Sequence, residues 1–487
     1  MIIPSYTSIR PKFLGGFKVF ILVIFILFNF LNLDAGWGDN GDFYRIMKQY
    51  SSNPVNMNNW PAGGTPEFRD RFFSYWLPYY DLNFPERPDM FISAQVLWLP
   101  GILINQALFS ISVLWMPLLS LGARCTLFVF LWVLLNWIEH KTRAPELFFL
   151  TLGVPLSLLF STTSVVAYFN TFYQETGAIV FLPILLAVVA QGQFIRRNAW
   201  FYSVYFLAIL LATTSKSSLF YLPLLTIPAV ISWQQLRKKP AVFIPLALAL
   251  IAIPTYAGIV LPQVPLPGPQ REYNGLINGV LALSDSPEER LAELGTPEAA
   301  ECLEHDLYNP AGMTCFDKYN ASGLWSYGNV VKVILAEPQI IGRQLNIITS
   351  RIQEMHFDAG LYVKNDPVPR RVIRLDLWAN LQAKVFPRGM ALIFFTILSA
   401  AILLWARQKN LLAKALTTVG WLSLAAFWID MFVQILGDGQ RDLTKHLLVA
   451  NLFFNFLLLA VINSALAAAF EPRLDTLKTK TPIKGFR

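Results

Sequence analysis

Charge is scarce in this sequence. Only 14% of its 487 residues are Asp, Glu, Lys or Arg, against about 25% in an ordinary globular domain. With a mean hydropathy of +0.46, that shortage excludes a water-soluble protein of the usual kind. Local catalytic signatures are missing as well. No Ser–His–Asp, HExxH, CxxC or P-loop pattern occurs, so no nucleotide cofactor is expected. No internal repeat or low-complexity tract occurs either. Cysteine is rare, with three in all. Cys125 lies in an apolar run and reads as a small buried hydrophobe. Cys302 and Cys315 share one polar region and can pair if it faces an oxidising compartment.

Long apolar runs are abundant. A spanning helix needs roughly 20 apolar residues, and ten such runs are expected: 17–34, 114–138, 147–168, 177–192, 200–215, 218–233, 242–262, 389–406, 411–436 and 447–470. The net charge of +8 would suit nucleic acid until its positions are read. Arg10, Lys12 and Lys18, then Lys141 and Arg143, Arg196 and Arg197, Arg237 to Lys239, Arg407 to Lys414, and Arg473 to Arg487 flank these runs. On a ten-span map all of them fall on one side, which is the positive-inside signature. No nucleic-acid partner is implied. The first run resembles a signal peptide but lacks a small-x-small cleavage site, so it reads as an uncleaved span. The expected fold class is an all-α polytopic membrane protein of about ten transmembrane helices with both termini cytoplasmic.

The chain divides into three parts on this reading. Residues 1–262 form an N-terminal transmembrane module with a long first outer loop, 35–113. Residues 263–388 form a small external domain. Residues 389–487 hold the last spans and a basic cytoplasmic tail. Within the first outer loop, "FYRIMKQY" places Phe43, Ile46, Met47 and Tyr50 on one helical face, which fits a short interfacial helix. Residues 91–111 are apolar enough to span, yet a crossing there would break the charge alternation. A helix lying on or dipping into the outer leaflet is expected instead.

Ionisable residues cluster at the outer ends of the spans, where charge is by default a sign of function. "GWGDNGDFYRIM", residues 36–47, sets Asp39 and Asp42 just after the first span. They suit a helix N-cap and its third position, or a general base with its partner, or two metal ligands. "YFNTFYQETG", residues 168–177, puts Glu175 in a tight link, as a solvated loop acid or a site residue. "TTSKSS", residues 213–218, holds Lys216 opposite to where positive-inside would place it. It can snorkel or clamp a phosphate. "GDGQRDLTKH", residues 437–446, adds Asp438, Arg441, Lys445 and His446 as a solvated turn or a further part of the site. Acids and cations on one outer face fit transfer of a group from a lipid-borne phosphate.

This arrangement resembles the polytopic GT-C glycosyltransferases that use polyprenyl-phosphate sugars. The match rests on "GDNGDFYR" after the first span, "YQE" between the third and fourth, and "TTSK" at the end of the fifth, and it covers roughly residues 17–260. The chain departs from the Asp-Glu pair of mannosyl- and aminoarabinose-transferring relatives and from the separated DxD motifs of oligosaccharyltransferases. The resemblance implies an inner-membrane enzyme whose active site faces outward. Its partners would be the bilayer, a polyprenyl-phosphate sugar donor and a glycan or lipid acceptor. It also implies that Asp42 or Asp39 is the catalytic base and that Glu175 (with Asp39) binds acceptor or metal. Lys216, Lys445, His446 and Arg45 would bind the donor phosphate. A divalent cation (Mg, Mn or Ca) shared by Asp39, Asp42 and Glu175 fits the same picture. The rival readings are a transporter or flippase of lipid-linked glycans, a glycan polymerase or ligase, and a membrane scaffold. A transporter would place its polar groups nearer the midplane on broken helices.

Overall fold

The computed structural model describes residues 6–33, 36, 79–81, 92–108, 113–194, 199–232, 251–256, 270–305, 307, 310–355, 376–437 and 443–471. Apolar sequence of this length has one economical solution in lipid, because a helix satisfies its backbone polar groups within itself. Five helical stretches among the described residues are long and apolar enough to cross a membrane: Leu14–Leu31, Met116–Lys141, Gly389–Ala406, Leu411–Gln434 and Leu448–Phe470. A sixth is a bent pair, Pro145–Ser161 and Thr163–Phe169, turned by 60°. The chain is an all-α, multi-pass integral membrane protein.

In chain order, the elements used below are α1 (Tyr6–Leu31), β1 (Tyr79–Asp81), α2 (Ala94–Leu108), β2 (Val113–Trp115) and α3 (Leu121–Lys141). The bent pair follows as α4 (Val154–Ser161) and α5 (Thr163–Phe169), then α6 (Glu175–Gln191), α7 (Ala199–Thr213) and α8 (Leu222–Ser232). The second half holds α9 (Pro310–Asn320), α10 (Tyr327–Ala336), α11 (Gln339–Arg351) and α12 (Leu377–Val385). It ends with α13 (Gly389–Ala406), α14 (Leu411–Gly437), α15 (Leu443–His446) and α16 (Leu448–Phe470).

The ten expected spans map onto this set unevenly. Three of them, 177–192, 200–215 and 218–233, are apolar helices of fewer than 18 residues, with Pro183 inside α6 and Pro228 inside α8. Of the run 242–262, only 251–256 lies among the described residues. The expected span 114–138 begins later than its hydropathy implied. Val113–Trp115 forms an antiparallel pair with Tyr79–Asp81, with Tyr80 opposite Leu114, and the Asn105 side-chain oxygen accepts from the Trp115 amide at 3.0 Å. β-Branched and aromatic residues suit that short pairing, and hydropathy alone cannot see it.

Helix α2 lies within the apolar stretch 91–111, where a helix is expected. Ala94, Leu97, Trp98, Gly101, Ile102 and Asn105 face the protein, while Val96, Leu99, Leu103 and Leu108 are exposed. Two glycines set its seat. A Cβ on Gly122 would fall 2.0 Å from the Leu97 carbonyl oxygen, and one on Gly101 would fall 1.8 Å from that of Leu118. Backbone therefore meets backbone on both sides of the α2–α3 contact, closer than any side chain allows.

Helix α1 is pinned at its middle and near its end. Lys18 reaches Glu139 and the Asn136 side-chain oxygen on α3. Asn29 donates to the Phe160 carbonyl at 3.2 Å. Residues 270–355 form short helices around a separate hydrophobic cluster that includes Tyr273, Leu276, Phe316, Trp325 and Val330. Cys302 and Cys315 are bonded there, and Cys125 is free and exposed rather than buried as its apolar run implied. At the edge of this cluster the Arg343 guanidinium hydrogen-bonds Asp285 and holds its carboxyl below the usual carboxylate range.

A buried amide network ties the segment after α11 to the last span. Trp378 Nε1 donates to Asn455 Oδ1 at 2.8 Å, and Gln382 Nε2 to Gln353 Oε1 at 2.8 Å. Asn455 Nδ2 reaches Asn451 Oδ1 at 3.0 Å, Asn451 Nδ2 donates to the Ile352 carbonyl at 2.6 Å, and Gln353 Nε2 to that of Pro387 at 3.1 Å. None of these five side chains keeps an unpartnered buried atom. Such full satisfaction makes a buried polar network specifying rather than costly.

Candidate functional site

The site is built around the short link between α5 and α6. Asn170 ends α5 and Glu175 begins α6, so residues 170–175 must turn back within one loop at a helix boundary. Every residue of the link except Gln174 is buried. Four neighbours converge on it. Arg124 Nη2, from the first turns of α3, donates to Asn170 Oδ1 at 3.0 Å. The Trp98 ring of α2 meets Phe172 edge-on at 5.5 Å. Lys445 of α15 lies 5.1 Å from the Tyr173 ring centre. Lys216, just beyond α7, lies 3.2 Å from Glu175 Oε1.

Glu175 and Lys216 are both buried, with side chains 0% and 5% exposed. They touch as ions without hydrogen-bond geometry, since Lys216 Nζ and both Glu175 oxygens have no hydrogen-bond partner. A third buried ion faces them. Asp430 of α14 is 0% exposed and senses the Lys216 charge. Ser218, Gln434 and the Ala450 amide in the first turn of α16 surround its carboxylate. Neither Asp430 oxygen closes a hydrogen bond, and Ser218 Oγ, Thr213 Oγ1 and Thr444 Oγ1 are also unpartnered. The Tyr221 hydroxyl donates to the Ala426 carbonyl at 3.2 Å, one turn before Asp430.

Small residues make the approach possible. A Cβ on Gly177 would lie 2.8 Å from Ser215 Cβ and 3.0 Å from Ser93 Oγ. The Ser93 amide donates to the Thr214 carbonyl at 3.3 Å. The start of α2, the start of α6 and the end of α7 therefore share one contact. Two carboxylates and one ammonium are buried here together with unpaired hydroxyls, groups with hydrogen-bonding capacity left over. Most buried polar groups are paired, and a concentration of unpaired ones marks this place as unusual.

The fold thus brings together Glu175, Lys216 and Lys445, which sequence reasoning named separately, and puts the half-buried His446 beside Lys445. Asp39, Asp42 and Arg45 lie outside the described residues. No group of three or more His, Cys, Asp or Glu side chains that could hold a metal occurs among the described residues. Glu175 has Lys216 as its neighbour there. Two site residues were missed from sequence. Asp430 and Arg124 lie inside apolar runs and were absorbed into the spans, although a charge inside a span is itself the signal.

Comparison with curated proteins and with solved structures gave no match. The family model of the YfdI N-terminal transmembrane domain matches residues 3–482. The chain belongs to that family.

Proposed function

We propose that this member of the YfdI N-terminal transmembrane domain family is a membrane glycosyltransferase of the GT-C kind. It moves a sugar from a polyprenyl-phosphate donor to a glycan or lipid acceptor on the outer face of the inner membrane. The observation that carries the reading is the buried Glu175–Lys216–Asp430 cluster, with its unpaired oxygens. Carboxylates kept in apolar surroundings and balanced by one ammonium suit recognition of sugar hydroxyls. A bilayer boundary is where a tethered donor meets an acceptor in water.

In the proposed reaction an acceptor hydroxyl attacks the anomeric carbon with inversion. The new C–O bond forms as the bond from carbon to phosphate oxygen breaks, and the electron pair leaves with the phosphate. Asp42 takes the hydroxyl proton, with Asp39 orienting it or taking its place. Glu175 and Asp430 accept hydrogen bonds from the sugar or the acceptor, and Lys216 holds both in place. Lys445 and His446 neutralise the departing phosphate. A divalent cation shared by Asp39, Asp42 and Glu175 remains part of the proposal, and its removal by chelation is the matching assay.

Turnover of Asp42→Asn and Asp39→Asn, followed as release of free polyprenyl phosphate by folded protein, tests the base. Loss of general-base help costs about 10²–10⁴-fold in rate, whereas Asn caps a helix nearly as well as Asp. Near-normal turnover in both variants removes the catalytic reading. The proposal includes ten crossings with both termini cytoplasmic, motivated by the basic clusters flanking the runs. Reporter fusions after Arg197, Lys239 and Lys409 are expected to report cytoplasm, and an external signal at any one overturns that map.

A further inference from the structure

Lys216 is poorly placed to receive an anion. It lies 3.2 Å from Glu175 and its charge is felt by Asp430, and the three groups together carry a net charge of about −1 when all are ionised. A phosphate brought to Lys216 meets two carboxylates as well as one ammonium. Arg124 has the opposite balance. It is 0% exposed, its guanidinium stays charged at any physiological pH, and among the described residues no carboxylate pairs with it. One of its nitrogens is held by Asn170, and the group lies 5.7 Å from the Phe30 ring centre. Its Nε and Nη1 have no hydrogen-bond partner.

We propose that Arg124 is the anion receptor of this site and takes the phosphate of the lipid-linked donor, a role that falls to Arg124 and not to Lys216. This inference rests on the glycosyltransferase reading for the identity of the ligand, while the presence of an anion site rests on Arg124 alone. Three features fit the role. The guanidinium has two edges that can each grip two oxygens of a phosphate or carboxylate at once, Nε with Nη2 and Nη1 with Nη2, and Asn170 engages only one of the two N–H groups of Nη2. Asn170 fixes the Nη2 nitrogen that both edges share, so little side-chain freedom is lost on binding. The same Asn170 donates to the Asn32 carbonyl at the end of α1, which anchors the receptor to the first span. Through Asn170, Arg124 is also joined to the link that carries Glu175, so the anion and the hydroxyl-binding carboxylates are held by a single loop. The competing explanation is that Arg124 only pins α3 to that loop. A pin needs one hydrogen bond, and it leaves two nitrogens of a buried cation, with their three N–H groups, unused, which is unfavourable.

The test uses the full chain in zwitterionic nanodiscs with three probes: a polyprenyl phosphate, the same prenol without phosphate, and inorganic phosphate. The wild-type protein is expected to bind the lipid phosphate at least tenfold more tightly than the prenol. Arg124→Gln is expected to weaken lipid-phosphate binding at least tenfold and to leave prenol binding unchanged. Arg124→Lys keeps the charge but loses the fork, so it should fall between the two and controls for folding. Equal binding of the lipid phosphate by wild type, Arg124→Gln and Arg124→Lys overturns the proposal. If the wild type binds inorganic phosphate in an Arg124-dependent way but not the lipid phosphate, the anion receptor stands and the lipid-donor reading falls. If it binds neither phosphate, the receptor itself is refuted.

Discussion

Replacing Lys216 with Met should both unfold and silence the protein. The change keeps the length of the side chain and removes its charge, leaving Glu175 and Asp430 buried without a cation. Breaking a buried ion pair by deleting one partner costs about 3–5 kcal/mol, a large part of a typical folding free energy. A fall in thermal or denaturant stability of that size, measured in detergent, is the expected result. The diagnostic variant is the triple change Lys216→Met, Glu175→Gln, Asp430→Asn. With all three charges gone, most of the stability should return, because an uncharged polar cluster avoids the cost of an uncompensated ion. Transfer activity should not return, because the carboxylates that bind hydroxyls are missing. Full stability in Lys216→Met alone would show that the three groups are not coupled. Recovery of activity in the triple variant would make the cluster structural only.

Gly122→Ala is expected to be nearly as damaging, for a purely geometric reason. Alanine is the better helix former by about 1 kcal/mol, so propensity alone predicts a gain. The new methyl, however, would stand 2.0 Å from the Leu97 carbonyl oxygen. That neighbour is backbone inside a helix and cannot rotate away. Helix α2 must lift, which carries Trp98 off Phe172 and disturbs the link that holds Glu175. Overpacking costs about 1–3 kcal/mol or more, and Gly101→Ala should behave alike, with its methyl 1.8 Å from the Leu118 oxygen. Gly15→Ala and Gly16→Ala in α1 are the controls, since nothing lies within 4 Å of the added atom. They should be neutral or slightly stabilising. Gly122→Ala at wild-type stability would mean that α2 does not seat on α3 as described.

Much of this arrangement could be read from sequence, and the exceptions share one cause. Glu175 and Lys216 stood out because each interrupts apolar sequence at a short link, where a charge has nowhere to go but the boundary. What no pattern could give was their contact, since 41 positions separate them and only packing decides which helix ends meet. Asp430 and Arg124 were overlooked because averaging hydropathy over a span hides one charge among twenty apolar neighbours. The asparagines of α16 were hidden in the same way, although Asn451 and Asn455 are one turn apart and so lie on one helical face. The outer helix α2 was legible from its composition. Its closeness to α3 was not, because Gly101 and Gly122 announce a possible contact without naming the partner. The pairing of Cys302 with Cys315 needed their 5.8 Å Cα separation to be known. The strands at Tyr79–Asp81 and Val113–Trp115 are too short for any alternation to register.

The amide network on α16 has a consequence for the order in which the protein is made. Translation supplies Gln353, Trp378 and Gln382 before Asn451 and Asn455 exist. Until the last span enters, the Trp378 indole lacks the oxygen it donates to, and the Ile352 carbonyl lacks the Asn451 amide. Asp430 meanwhile lacks the Ala450 amide that faces it. The first turns of α16 therefore complete two separate sets of polar contacts in a single event, one with Ile352 and Trp378 and one beside Asp430. An assembly intermediate without α16 holds the other members of both sets of contacts but not the contacts themselves.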